Sequence, residues 1–122
     1  MIISKSGENN YLTELSNGEY TVFADTAEDS KYMHPPEFIE TALSACMNIT
    51  TRMVLDRMSL KYDEVSVRVS LERPSKEETV IKYSIDIKGD IEEEIKKQVI
   101  AKVYNCPVRR ILNSDIKIEE MN

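Results

Sequence analysis

From Glu37 to Met58 the apolar residues Phe38, Ile39, Ala42, Leu43, Ala45, Cys46, Ile49, Met53 and Val54 recur at spacings of three and four. That period predicts an α-helix of about six turns. His34-Pro35-Pro36 precedes it; proline lacks the amide hydrogen a strand ladder needs but suits the first turn of a helix. Glu37 and Glu40 at the start and Arg52 and Arg57 near the end complement the helix dipole. Between Thr41 and Thr51 no side chain is charged, so this stretch is expected to be buried nearly all round. The rest of the fold has to be arranged to cover it.

The flanking segments read as sheet. Tyr11–Leu15 and Tyr20–Ala24 are short β-type runs joined by Ser16-Asn17-Gly18-Glu19, and Asn-Gly is a strong hairpin signal. With Ile2-Ile3 in front, a small antiparallel sheet is expected. Val65–Leu71 and Val80–Ile87 alternate apolar and polar residues, the mark of strands with one buried and one wet face. A polar link containing Pro74 predicts a hairpin between them. After Gly89-Asp90, Ile91, Ile95, Val99 and Val103 stand at helical spacing, predicting an amphipathic helix over 91–104 capped by Asp90. Asn105-Cys106-Pro107 opens a shorter helix, and Ile116-Lys117-Ile118 reads as a last strand. The order β-β-β-α-β-β-α-α-β is an α+β arrangement.

At 122 residues the expectation is a single domain, residues 1–122, with a core that needs no disulfide but little room for a large internal site. A deep site would then need a second chain. The formal charge of −6 and the scattered basic residues argue against nonspecific binding to nucleic acid, where phosphate neutralisation dominates affinity. No apolar run approaches the roughly 20 residues of a membrane span. The N-terminus has no secretory pattern, so a cytoplasmic location is expected.

Cys46 and Cys106 are the only cysteines and stand 60 residues apart, too far for a local Cys-x-x-Cys motif and too few for a cysteine-only zinc site. They are either two unrelated buried thiols or a pair brought together for redox work. Cys106 precedes Pro107, which places its thiol at a helix N-terminus where the dipole favours the thiolate, with Arg109 and Arg110 within a turn. The bland alternative is a small capping residue. Cys46 reads by itself as a small buried hydrophobe, although the run Thr41-Ala-Leu-Ser-Ala-Cys46 would also let another element or chain approach closely. Glu37 reads first as dipole complementation. His34, the single histidine, reads as a turn residue without the partners a metal site needs. Glu92–Glu94 is most simply a solvated helix face.

Pro36-Glu37-Phe-Ile-Glu-Thr-Ala-Leu-Ser-Ala-Cys46, then two strands and a helix, then Cys106-Pro107-Val108, resembles the OsmC/Ohr family of osmotically inducible and organic hydroperoxide resistance proteins. The likeness covers almost the whole chain, and its specificity lies in the combination of Pro-Glu helix start, helix cysteine and Cys-Pro. The resemblance implies an OsmC-like fold, with antiparallel sheets around a long buried central helix, in an intertwined homodimer whose two active sites lie at the subunit interface. It implies that Cys46 attacks an organic hydroperoxide and becomes a sulfenic acid, that Cys106 resolves it as a disulfide, and that Glu37 helps organise the site. A small or lipoyl-type dithiol would serve as reductant, and no metal or organic cofactor is implied. Family peroxidases carry an arginine on an N-terminal strand. This sequence has none before Arg52 and offers Lys5, Lys31 or His34 in that region, without the bidentate fork of a guanidinium. The nine-residue Glu37–Cys46 spacing fits the less characterised OsmC-like branch.

Two functions of different class follow. One is a thiol peroxidase acting through Cys46 and Cys106. The other is an OsmC-fold protein that binds a small or acyl ligand, or serves as a redox sensor, without efficient peroxidase activity.

Overall fold

A computed structural model of the chain describes residues 1–26, 28 and 30–121. The chain divides into two compact units, Met1–Ile39 and Glu40–Asn122.

In the first unit, β1 (Ile3–Ser6), β2 (Thr13–Ser16) and β3 (Thr21–Ala24) form an antiparallel sheet in the order β1-β2-β3. The β2–β3 turn follows from Asn17-Gly18. The Asn17 Oδ1 accepts the amide hydrogens of Glu19 at 2.9 Å and Tyr20 at 2.8 Å, and Gly18 sits at φ +102°, where a side chain would be strained. Beyond β3, Met33 forms an isolated parallel bridge with Ala24. The prolines then start α1 (Pro35–Arg57). His34 is its cap residue: Glu37 Oε1 accepts the His34 amide hydrogen at 2.9 Å, the reach-back half of a capping box.

In the second unit, β4 (Glu64–Glu72) and β5 (Val80–Lys88) pair antiparallel over nine residues. The register sets Val65 opposite Ile87, Val67 opposite Ile85, Val69 opposite Tyr83 and Leu71 opposite Ile81, so these eight side chains share one face. On α1, Glu40, Ser44 and Asn48 stand four apart and read the open edge of β4. Glu40 Oε2 accepts the Leu71 amide hydrogen at 3.0 Å, Ser44 Oγ donates to Val67 O at 3.2 Å, and Asn48 Nδ2 donates to Val65 O at 2.9 Å. Three backbone groups that an edge strand would leave unpaired are thereby satisfied. Helix α1 ends in a Schellman motif: Leu60 N–H donates to Leu55 O at 2.9 Å and Ser59 N–H to Asp56 O at 3.0 Å, with Ser59 at φ +56° where glycine is usual.

The chain continues through α2 (Glu93–Lys102), a 3-10 turn (Val103–Asn105) and α3 (Pro107–Leu112). Two clusters form the core. Val54, Leu55, Val65, Ile87 and Val99 make one, and Leu43, Met47, Val103 and Cys106 the other. Val67 and Ile85 pack against both, which makes the core continuous under the hairpin.

Three sequence expectations change. Asp90 does not cap α2. The cap residue is Glu92, with no side-chain cap bond, and the Gly89-Asp90 pair is used in the turn out of β5. Residues Ile116–Ile118 form no strand; Ile118 is 96% exposed, and alternation alone builds no strand without pairing. The stretch Thr41–Thr51 is buried on one side only. Leu43, Met47 and Thr51 are inside, whereas Ala42, Ala45 and Ile49 are exposed, as is Met53 beyond them. No helix is long and apolar enough to cross a membrane among the described residues.

Candidate thiol site

Cys46 and Cys106 come together in the second unit. Cys106 is fully buried beside Leu43, Met47 and Val103, and the half-buried Cys46 packs against the same cluster. Both are free thiols. Helical spacing explains the α1 side of this contact: Leu43 and Met47 anchor one turn, and Cys46 at i+3 from Leu43 projects from the edge of the same face. The other side is set by Pro107, which starts α3 and leaves Cys106 as its cap residue, with Sγ accepting the Arg109 amide hydrogen at 3.5 Å.

From the sequence, a helix terminus and two arginines would favour a Cys106 thiolate, with a small capping residue as the alternative. The opposite effect wins. Burial pushes the Cys106 thiol above its ordinary value. The amide hydrogen of Arg109 pulls it down, and the hydrogen bond and charge of Cys46 push it up again. The Arg109 guanidinium is held on two tyrosines. Its Nη1 donates to the Tyr83 hydroxyl at 2.7 Å, and its Cζ lies 4.4 Å from the Tyr104 ring centroid and 5.5 Å from that of Tyr83. Tyr83 is itself raised, first by burial, then by its hydrogen bond with Tyr104, with Arg109 opposing. It therefore stands as a neutral phenol at neutral pH.

Glu37, the third residue singled out from the sequence, belongs to the first unit, where its carboxylate caps α1. Lys5, Lys31 and His34 belong to the same unit. Sequence reading missed the Tyr83–Tyr104–Arg109 cluster, since its members lie on β5, the 3-10 turn and α3 and share no local pattern. It also missed the docking role of Glu40, Ser44 and Asn48. Their four-residue spacing on an otherwise apolar helix was the available signal.

A long helix laid on the edge and face of an antiparallel hairpin, with one thiol from that helix and a second from a Cys-Pro turn packed against it, defines a small α+β thiol protein. The chain belongs to the OsmC-like protein family, whose sequence model matches residues 27–121. Among solved structures, an OsmC-like protein from Mycoplasma pneumoniae superimposes with a TM-score of 0.80 at 17% identity, covering 92% of this chain and 85% of that one. The organic hydroperoxide resistance protein OhrB of Bacillus subtilis gives 0.66 at 14%, covering 94% and 90%. An OsmC-like protein of unknown function from Vibrio cholerae gives 0.70 at 11%, covering 94% of each. At these identities the likeness is one of fold. No curated protein sequence matches the chain.

Proposed function

We propose that this protein is a thiol peroxidase that reduces organic hydroperoxides, with Cys46 as the attacking and Cys106 as the resolving thiol. The observation that carries the reading is the packing of a half-buried thiol against a fully buried one in a single cluster. Cys46 is the thiol a peroxide can reach. Its thiolate attacks one peroxide oxygen, the O–O bond breaks, the alcohol leaves with a proton, and Cys46 becomes a sulfenic acid. The Cys106 sulfur then attacks the Cys46 sulfur, water leaves, and the disulfide is returned to two thiols by an external dithiol. The order is favoured by exposure: Cys46 is half-buried, whereas Cys106 is fully buried and its burial holds the proton on. Glu37 stays in the proposal as a carboxylate that organises the site, on the strength of the family resemblance.

The active unit in this proposal is a homodimer of one-domain chains. Ala42, Ala45, Ile49 and Met53 form an uncovered apolar stripe on α1, and the first unit holds a cavity of about 720 Å³ walled in part by Leu12, Leu15, Ala24 and Phe38. A second copy would cover such surfaces.

The test is consumption of cumene hydroperoxide with a dithiol reductant by wild type, Cys46→Ser and Cys106→Ser. The expected pattern is turnover, no reaction, and a single turnover without recycling. Equal rates for all three would overturn the proposal. A second reading, an OsmC-fold ligand binder or redox sensor, is favoured by the lack of any arginine before Arg52. It predicts a co-purifying small or acyl ligand by native mass spectrometry and negligible turnover.

A further inference from the structure

We propose that Arg109 and Tyr83 form a binding subsite for the carboxylate of a small organic acid. They line a cavity of about 120 Å³ in the second unit, whose apolar wall comes from Leu43, Met47, Ile81 and Leu112. A guanidinium has five N–H donors in a planar fork. Here one bond fixes it to the Tyr83 hydroxyl and the Tyr104 ring supports it from one side. Among the described residues no carboxylate pairs with it. The charge is thus half-buried, held in place and without a counter-ion, a state that an incoming anion completes.

The walls choose the kind of anion. The cavity equals about four water volumes, space for a carboxylate head and a few carbons, and four of its lining residues, Leu43, Met47, Ile81 and Leu112, are apolar, beside Tyr83, Arg109 and Asn113. A fully ionised phosphate would need more donors than one arginine and a phenol supply. Tyr83 is a neutral phenol, so it adds no repulsion. Because Arg109 is already oriented, little side-chain entropy is lost when a ligand arrives. Leu43 and Met47 also pack against Cys106, so the ligand would share a wall with the thiol cluster. The site does not depend on peroxidase chemistry.

The experiment is a titration of the full-length reduced protein, followed by amide 1H–15N correlation spectra, with butyrate, 1-butanol and inorganic phosphate in parallel. Butyrate should shift the amides of Ile81, Arg109, Leu112 and Asn113 with a Kd on the order of 1–10 mM. 1-Butanol and phosphate should bind at least about tenfold more weakly, and Arg109→Gln should weaken butyrate by a similar factor. Equal binding of butyrate and 1-butanol, tighter binding of phosphate, or undiminished binding to Arg109→Gln would each overturn the proposal. Should Arg109→Gln lose its dispersed spectrum, Tyr83→Phe removes only the hydroxyl that holds the guanidinium. It should weaken butyrate about threefold, and unchanged affinity there would be equally fatal.

Discussion

Oxidising the reduced protein with one equivalent of a mild disulfide reagent should join Cys46 to Cys106 and stabilise the fold. The two residues are 60 apart in sequence yet pack in one cluster. A cross-link closing a loop of that length removes denatured-chain entropy equivalent to about 4 kcal/mol at 25 °C. Two local costs oppose it. The Cys106 sulfur gives up the Arg109 amide hydrogen it now accepts, a bond to a soft acceptor with a net value of about 0.5–1 kcal/mol. The thiols must also reach disulfide geometry inside a packed cluster, which displaces Leu43 or Met47 at a cost of about 1 kcal/mol. A net gain of about 2–2.5 kcal/mol remains. With a urea slope of about 1.5 kcal/mol/M, the midpoint should rise by about 1.3–1.7 M. Reduced and oxidised protein would be unfolded at one protein concentration, since any self-association makes the midpoint concentration-dependent. Thiol counting under denaturing conditions should find two thiols before oxidation and none after. If the native protein keeps both thiols while the unfolded chain is oxidised readily, or if a disulfide forms and the midpoint falls, the argument from proximity is wrong.

Other measurements probe separate parts of the structure. The Cys106 thiol is held above its ordinary value of 9.0, so the folded protein keeps a proton that the unfolded chain releases; its stabilising contribution is complete below about pH 9 and is lost as pH rises through the elevated folded value. Urea midpoints should therefore fall with alkaline pH, less steeply in Cys106→Ser, and an identical pH slope in the two proteins would contradict the burial argument. Asn48→Ala leaves Val65 O without its donor and should cost about 1–3 kcal/mol by urea unfolding; a loss below about 0.5 kcal/mol would mean that α1 does not need this contact with β4. Ser59→Gly relieves a left-handed serine at the Schellman position and should gain about 0.5–1 kcal/mol, with any destabilisation counting against that reading of the helix end. Ile49→Asp places a charge on the uncovered α1 stripe and should halve the mass seen by light scattering; a wild type already monomeric at high concentration would remove the homodimer from the proposal.

Much of the secondary structure is legible because its causes are local. Asn17-Gly18 marks the first hairpin, the alternation in Val65–Leu71 and Val80–Ile87 marks the second, and Pro35-Pro36 with three-and-four spacing marks α1. Errors arise where a local pattern needs a partner to have an effect. Ile116-Lys117-Ile118 alternates like a strand but pairs with none. Asp90 is a good capping residue standing two positions before the cap that the backbone uses. The uncharged Thr41–Thr51 run implies burial on all sides, but one chain covers only the side that meets the hairpin.

Helix, strand and turn positions follow from interactions spanning a few residues, and the cysteine spacing with its Pro-Glu and Cys-Pro contexts is enough to suggest the family. Meeting of the thiols is not of that kind. It depends on α2 and the 3-10 turn carrying Cys106 back to α1 across the face of β5, a route no spacing records. The charge state of Cys106 is likewise decided by tertiary structure. Its place in the sequence puts it at the positive end of a helix, but Leu43, Met47 and Val103 exclude the water that would stabilise a thiolate. Desolvation is a property of everything packed around an atom, so only the folded chain determines it.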